Sequence, residues 1–209
     1  MNRKGLLPII VFLVVVYTLL AIASFRRCQE AEGDVLADPL VGALQGLKPK
    51  LSTKLAEKHV EWARAAVEGT EIEPDWILSI AFRESSLNPF SISRRECLIG
   101  YCVRVTGVLR EPTPTMTGPF FCGVMQTKAN SWKACQSLAK DTLGAYRAGA
   151  LHLQEWLDND ACRLRDEEAR WTCALTGYGG GPDLIVKLKG KEWRYTRNVR
   201  ATRKQLQGV

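Results

Sequence analysis

Histidine is scarce in this sequence, and the spacings that build metal sites are missing. The 209 residues include two histidines, His59 and His152, and neither belongs to a ligand motif. No Cys-x-x-Cys pair is present. Because zinc centres are built from cysteine and histidine at such spacings, we expect no metal ion. The single glycine run, residues 179–181, lacks the spacing of a dinucleotide-binding loop, and no cofactor is expected.

A nucleic-acid-binding signature is also missing. The chain carries 29 Lys and Arg against 22 Asp and Glu, which gives a net charge of +7. The basic residues do not alternate with exposed aromatic residues as they do in RNA- or DNA-binding modules, so no nucleic acid partner is expected. The surplus suits an acidic cell-wall polymer or a membrane surface, or else it only adds solubility.

A long apolar run opens the chain. Leu6 to Phe25 is almost wholly apolar, and its 20 residues are enough to span a bilayer. We expect residues 1–27 to act as a signal-anchor or a signal peptide, with the rest exported to the periplasm or outside the cell. Arg26 and Arg27 favour a retained single-pass anchor in the membrane. Ala21-Ile22-Ala23 resembles a signal-peptidase site and favours a cleaved, secreted protein.

The chain holds seven cysteines, a number that fits an oxidising compartment. Six of them lie in the expected domain, and six cysteines allow about 15 pairings that sequence alone does not resolve. Cys28 is left over next to the apolar run, free or paired between chains. We predict that the six pair between neighbours, as Cys97–Cys102, Cys122–Cys135 and Cys162–Cys173.

Composition divides the remainder of the chain into two parts. Residues 28–51 contain several Gly and Pro and few large apolar side chains, which predicts a linker. Residues 52–209 are expected to form one domain. Helical periodicity dominates there, so the predicted fold class is mainly α with a small β or loop excursion. Residues 94–122 are predicted to be a long irregular segment with a short hairpin near Tyr101 to Val105.

One predicted helix carries a carboxylate on its apolar face. Ile80, Ala81 and Glu84 follow Ile77 at the spacing of a single helical face, in a helix expected over 74–88. Burial disfavours the charged form of a carboxyl and raises its pKa, as a general acid requires. The alternative is an ordinary surface glutamate on a helix whose phase differs from the one assumed here.

Several motifs then resemble those of the SLT-type lytic transglycosylases, whose fold is similar to that of goose-type lysozyme. The motifs occur in the order in which that family carries them, over about residues 52–200. Together they are more specific than any one alone. They are Glu84-Ser85, Asn88-Pro89 with Ser93, Gly123-Val124-Met125-Gln126, Gly149 within 146–153, Tyr178-Gly179-Gly180-Gly181-Pro182, and Tyr195 with Val199.

The resemblance implies a lysozyme-like helical domain that cleaves the MurNAc-GlcNAc β-1,4 bond of peptidoglycan by lytic transglycosylation. It implies that Glu84 is the catalytic acid and base, that 1,6-anhydro-muramoyl ends are formed, and that no cofactor or metal takes part. The chain departs from the family at Gly179, where the family has Asn, and in the longer stretch between Ser93 and Gly123. The implied substrate-binding residues are Ser93, Met125, Gln126, Tyr178 and Tyr195.

Two other functions stay open at this point. A hydrolase of the lysozyme kind needs a second carboxylate, and the acids between Glu84 and Gln126 are Glu96 and Glu111. Both are expected in the irregular segment beside arginines, as solvated ion pairs. A non-catalytic wall-binding component of an envelope-spanning machine has no need of a carboxyl on an apolar face. The motifs do not name the biological process, the other partners or the oligomeric state.

Overall fold

A computed structural model describes residues 38–98, 101–108 and 120–208, with side chains outside 93–98 and 101–108. The predicted anchor or signal peptide, Cys28 and Glu111 lie outside these residues. Among the helices that are described, none is long and apolar enough to cross a membrane.

The described part of the chain is mainly α, which confirms the predicted class. Nine helices and four short strands follow one another along it. They are α1 (Pro39–Leu47), α2 (Thr53–Val67), α3 (Pro74–Ser85), β1 (Ser91–Leu98), β2 (Tyr101–Val108), β3 (Phe120–Cys122), β4 (Thr127–Ala129), α4 (Trp132–Lys140), α5 (Thr142–Asp158), α6 (Asp160–Arg163), α7 (Glu167–Gly180), α8 (Pro182–Leu188) and α9 (Arg194–Leu206).

Local capping chemistry fixes the start of several helices. The Ser52 hydroxyl accepts a hydrogen bond from the amide of the third residue on and begins α2. The Asp141 carboxylate does the same for α5. Pro74 occupies the first turn of α3, where its missing N–H would have no helical partner. These caps set the ends of the helices that form the core.

Helix α3 lies at the centre of the main core. All residues from Asp75 to Ala81 are buried, so this helix is covered on nearly every side. It packs against α2, α5 and α9. The fully buried side chains around it include Leu44, Leu153 and Leu175. A carboxyl in the last turn of α3 is therefore held by a helix that is buried on nearly every side.

The predicted linker over 28–51 is wrong in its C-terminal half, because α1 belongs to the domain. Val41, Leu44 and Leu51 are 6%, 0% and 5% exposed and join the main core. Val41 and Leu44 are one helical turn apart, so a short apolar stripe is enough to dock α1 against α2 and α9. The glycines between them suggested a linker, but they face open space on the outer side.

The predicted irregular segment is also wrong in part. Strands β1 and β2 form a long antiparallel hairpin, and the sheet order is β2-β1-β3-β4. Glu96 therefore lies in a regular strand opposite Val103, not in an irregular loop. In β1 the charged run Arg94-Arg95-Glu96 interrupts the residue pattern that is typical of a strand. In β2 the β-branched residues at alternate positions indicate that pattern.

Two of the three predicted disulfides are formed. Cys122–Cys135 joins β3 to α4, and Cys162–Cys173 joins α6 to α7, each with a Cα–Cα distance of 5.4 Å. The hairpin register places Cys97 opposite Cys102. Directly opposed residues have Cα atoms about 4.5–5.5 Å apart, which suits a disulfide, although these two side chains lie outside the described ones. The two observed bonds indicate an oxidising, extracytoplasmic environment.

Candidate active site

Glu84 lies in the last turn of α3, and its side chain is half-buried. The three residues predicted to share its face, Ile77, Ile80 and Ala81, are all fully buried. The other residues of 75–81 are buried as well, so this burial does not distinguish the predicted phase from another, and the phase stays a prediction. The helix ends at Ser85, three residues before the predicted end, because the chain turns sharply there.

The turn after α3 has an unusual backbone. Ser86 and Leu87 adopt φ angles of 53° and 61°, in the left-handed region that glycine normally occupies. Their amides bond to the last carbonyls of the helix, at 2.9 Å and 3.4 Å. Lys48 Nζ donates to the Ser86 carbonyl oxygen at 2.6 Å, and the Leu87 side chain is buried. Such strain costs of order 1–3 kcal/mol per residue and clusters at functional sites.

Ser85 fastens this helix end to the segment that follows the sheet strand β3. Its Oγ lies 2.8 Å from the Val124 carbonyl oxygen, to which it donates. The same Oγ accepts a hydrogen bond from the Asn88 amide at 3.1 Å. The two residues of the Glu-Ser pair therefore have different roles. Glu84 supplies a carboxyl, and its neighbour joins two segments 39 residues apart.

Residues 123–126 form a tight turn held by the amide of Gln126. Its Nε2 donates to the carbonyl oxygens of Ser91 and Gly123, each at 3.0 Å. The Gly123 amide also donates to the Ser91 carbonyl at 3.0 Å. Gln126 has a φ of 48° and is 6% exposed. Its side-chain nitrogen therefore holds the backbone of this turn in place, and the residue supports the site through this turn.

Met125 fills the core beneath the same turn. Its side chain is fully buried, and it occupies the space that a Cβ on Gly149 of α5 would need, within 2.5 Å of the Met125 Cε. The Tyr178 hydroxyl donates to the Met125 carbonyl oxygen at 2.9 Å. Tyr178 lies in α7, which continues to Gly180, so the motif from Tyr178 to Pro182 is helical in its first three residues.

Gly179 brings two aromatic rings close to the end of α7. A Cβ at this position would lie 2.9 Å from Cδ1 of Tyr195 and 3.0 Å from Cζ3 of Trp193. These distances are shorter than ordinary contacts, so any larger residue would displace the rings. The departure from the Asn of the resembled family therefore has a local cause. The Trp193 and Tyr195 rings pack where an Asn side chain would start.

Most of the predicted site residues are joined by these contacts. Glu84, the turn at 123–126 and Tyr178 are connected through Ser85 and the Met125 carbonyl, and Tyr195 borders the same region at Gly179. Ser93 lies in β1 opposite Thr106, and the other edge of β1 pairs it with Phe121. The Ser93 side chain is outside the described ones, so its predicted contact with substrate stays a prediction.

A buried pair beneath the site was missed from the sequence. His59 of α2 and Tyr146 of α5 are 1% and 0% exposed, and the His59 Nδ1 lies 2.9 Å from the Tyr146 hydroxyl. Burial, and then the positive charge of Lys48, lowers the pKa of His59 to about 4. Burial raises the pKa of Tyr146. The available signal was the position of His59 between Ala56 and Ala63, on the apolar face of α2.

A separate groove of about 830 Å³ lies at the opposite end of α3. Trp76 stacks on Trp171 with centroids 4.4 Å apart, and the Arg203 guanidinium lies 4.2 Å from the Trp76 ring centroid. Asp75 accepts hydrogen bonds from Arg203 at 3.1 Å and from Gln207 at 2.6 Å. At a rise of about 1.5 Å per residue, this end lies roughly 13 Å from Glu84 along the helix. The groove is a structural ion-pair network, separate from the candidate site.

The described residues contain no group of three or more His, Cys, Asp or Glu side chains able to hold a metal ion. Comparisons of the chain with protein-family models, curated proteins and solved structures return no match.

Proposed function

We propose that this protein is a peptidoglycan lytic transglycosylase in which Glu84 is the catalytic carboxyl. The observation that carries the proposal is the position of Glu84. It is half-buried in the last turn of a buried helix, beside a strained turn that Ser85 joins to residues 123–126. Cleavage of a sugar polymer needs one protonated carboxyl held at the scissile oxygen by a rigid support.

One carboxyl is enough for the whole reaction. Glu84 first donates its proton to the leaving glycosidic oxygen, and the bond from that oxygen to the muramoyl anomeric carbon breaks. The 6-hydroxyl of the same muramoyl residue then attacks the anomeric carbon and gives its proton to the Glu84 carboxylate. The products are a free 4-hydroxyl on one strand and a 1,6-anhydro end on the other. No water is consumed, and the carboxyl is regenerated.

The position of Glu96 supports this reaction over hydrolysis. Hydrolysis needs a second carboxylate about 5–5.5 Å from the first in retaining enzymes, or roughly 6.5–9.5 Å in inverting ones. Ser91, which accepts hydrogen bonds from the 123–126 turn, is the first residue of β1. At about 3.3 Å per residue, the backbone of Glu96 lies roughly 16 Å further along the strand. Among the described acids, Asp75 and Asp141 have structural partners.

The test is to digest purified peptidoglycan with the protein and to weigh the soluble products. Wild type is expected to release anhydro-muramoyl ends, and Glu84→Gln none, because Gln has no acidic proton. Glu96→Gln serves as the matched carboxylate control and is expected to retain activity. Reducing ends, each heavier by one water, together with a loss of activity in Glu96→Gln, would assign the protein as a lysozyme instead. Binding without cleavage by wild type would favour a wall-binding scaffold.

The cellular setting follows from the disulfides and the first residues. An exported, disulfide-bonded domain has access to the peptidoglycan strand. The apolar run at residues 6–25 then tethers the enzyme to the membrane from which it was exported. Arg26 and Arg27, directly after the run, support retention of this segment over its removal.

A further inference from the structure

The positive charge of this protein is concentrated in one short segment. Residues 187–207 hold eight Lys and Arg and one acid, Glu192, which gives a local net charge of +7. This equals the net charge of the whole chain, since 21 basic and 21 acidic residues remain elsewhere. A solubility surplus would be scattered over the surface. A concentrated one indicates an anionic partner for this face.

The exposed cations of this segment lie away from its buried face. The buried face of α9 is formed by Thr196, Val199, Thr202 and Leu206, which pack on the domain. Exposed basic residues occupy the end of α8, the turn before α9 and the outer face of α9. We call these the basic strip: Lys187, Lys189, Lys191, Arg194, Arg197 and Lys204.

Ion pairs within the domain leave most of the strip available. Arg200 and Arg203, which lie beneath it, are paired with Glu168 and with Glu73 and Asp75. Arg197 Nε lies 3.5 Å from a Glu192 oxygen. Within the part of the chain that the structure describes, the lysines at 187, 189, 191 and 204 and the arginine at 194 form no ion pair. Five exposed cations of the strip therefore have no ion-pair partner among the described residues, while Arg197 and Lys204 also line the groove that contains Glu71, Glu73, Glu167 and Glu168.

The turn between α8 and α9 holds its cations in a fixed arrangement. Lys189 and Gly190 both have positive φ, 48° and 84°. The Lys189 and Lys191 amides bond to the Ile185 and Leu188 carbonyls at 3.3 Å and 2.9 Å. The guanidinium of Arg165 reaches the same turn, with Nη1 3.9 Å from the place of a Cβ on Gly190. A fourth cation thus joins the lysines of the strip at this point.

The strip is continuous with the candidate active site. Trp193 and Tyr195, which lie between Lys191 and Arg197 in the sequence, pack against Gly179. The preceding residue, Tyr178, donates to the Met125 carbonyl in the turn next to Glu84. From there α9 extends for 13 residues, about 20 Å at the usual helical rise. A polymer bound at Glu84 and directed past Tyr178 would therefore meet the strip.

We propose that the basic strip binds the carboxylates of the short peptides carried by the glycan polymer. The enzyme would then select strands that bear peptides over strands from which the peptides have been removed. This inference rests on the proposed function, because it assumes that the polymer lies at Glu84. The exposed cations are mostly lysines, whose flexible stems suit carboxylates at variable positions. The nearby aromatic rings of Trp193 and Tyr195 pack on Gly179, which argues against stacking on nucleic-acid bases.

The test measures binding in the Glu84→Gln background, so that cleavage does not change the ligand. Solubilised peptidoglycan strands are compared with the same strands after an amidase has removed their peptides. The strip variant is Lys187→Gln with Lys189→Gln and Lys191→Gln. The control is Lys54→Gln with Lys133→Gln and Lys140→Gln, which removes three exposed lysines of α2 and α4. Circular dichroism confirms that both variants are folded.

The strip variant is expected to bind peptide-bearing strands about tenfold more weakly, with a shallower dependence on salt. Its binding to peptide-free strands should not change, and the control should behave like the parent. Equal binding of both strands by the parent, or equal losses in strip and control variants, would overturn the inference. The inference would also be overturned if the strip variant lost binding to vesicles that contain phosphatidylglycerol but kept its binding to peptidoglycan strands. Binding is measured without cleavage, so the two proposals can fail separately. If only the catalytic proposal fails, the wild-type protein binds peptide-bearing strands selectively but does not cleave them.

Discussion

The buried histidine beneath the candidate site makes the stability of the domain depend on pH in a definite window. His59 is 1% exposed, its Nδ1 bonds to Tyr146, and its Nε2 has no hydrogen-bond partner. Its pKa falls from 6.5 to about 4 in the folded state. Between these two values the unfolded chain binds the proton more readily than the folded one. Stability is therefore fully present above about pH 6.5 and decreases as the pH falls towards 4.

The size of the effect follows from the shift. The pKa of His59 differs by 2.5 between the two states, and each pKa unit corresponds to about 1.4 kcal/mol. The free energy of unfolding is therefore lower by about 3 kcal/mol at pH 4 than at pH 7. Below pH 4 both states are protonated, so the loss from this group stops growing. For a domain whose whole stability is of order 5–15 kcal/mol, such a loss is easily measured.

Urea unfolding of the purified protein, followed by tryptophan fluorescence from pH 4 to 7.5, tests this prediction. His59→Gln keeps a polar group near Tyr146 but does not titrate. The free energy of unfolding of wild type minus that of His59→Gln should fall by about 3 kcal/mol from pH 7 to pH 4. Glu71, whose pKa is lowered by its hydrogen bond to Arg170, is common to both proteins and cancels. Parallel curves would refute the reasoning, as would an equal change in His152→Gln, which replaces an exposed histidine.

Three further predictions concern packing, positioning and covalent state. Gly149→Ala should destabilise the domain by about 1–3 kcal/mol through overlap with Met125, whereas Gly46→Ala, with open space around it, should not; calorimetry compares them. Ser85→Ala should lower kcat with little change in KM, since it removes the link to Val124 but no substrate contact; an unchanged kcat contradicts the positioning role. Mass spectrometry of the non-reduced protein should find the Cys97–Cys102 disulfide, and free thiols at these two cysteines would contradict that prediction. The same measurement should find an intact N-terminus, and a chain starting at Ser24 would show that the segment is a cleaved signal peptide.

The helical framework could be predicted because its signals are local. Ser52, Pro74 and Asp141 begin helices through contacts within their own first turn, so the sequence contains all the information needed. Apolar residues at helical spacing likewise indicated the burial of Ile77, Ile80 and Ala81 in α3, whereas its burial on the other sides depends on packing with α2, α5 and α9. The capping serine of α4, Ser131, follows the same rule.

The parts that could not be predicted depend on distant contacts. Helix α1 has two glycines and a narrow apolar stripe, and it is helical because α2 and α9 cover that stripe. Strand β1 of the hairpin contains charged residues, which interrupt the alternation of apolar and polar residues typical of a strand. Its hydrogen bonds to β2 and β3 stabilise the extended backbone that this pattern does not predict. In both places the tertiary partner decides the structure, and a single stretch of sequence does not name its partner.

The candidate site shows the same division. Motifs identified Glu84, Met125, Gln126 and Tyr178, but their roles emerged only from contacts across the chain. Gln126 and Tyr178 direct a side-chain donor at backbone carbonyls, and Met125 fills the space that Gly149 leaves empty. Residues that a motif suggests as ligands of the sugar therefore first build the turn beside the candidate catalytic carboxyl.

The distribution of strain argues for catalysis over a purely structural role of this region. Among the described residues, four that are not glycine have a positive φ, and three of them, Ser86, Leu87 and Gln126, adjoin the Glu84 site. A structural turn under no other constraint is relieved by glycine, which adopts such angles without strain. Here the side chains are retained, and each is held in place: Leu87 by burial, Gln126 by two hydrogen bonds, and the backbone at Ser86 by Lys48. The 122–135 disulfide begins one residue before the second turn, and a bridge of this span contributes about 3 kcal/mol to stability. A disulfide therefore stabilises the second strained turn, as expected if the position of Glu84 must be fixed for proton transfer, and a wall-binding scaffold would have no such requirement.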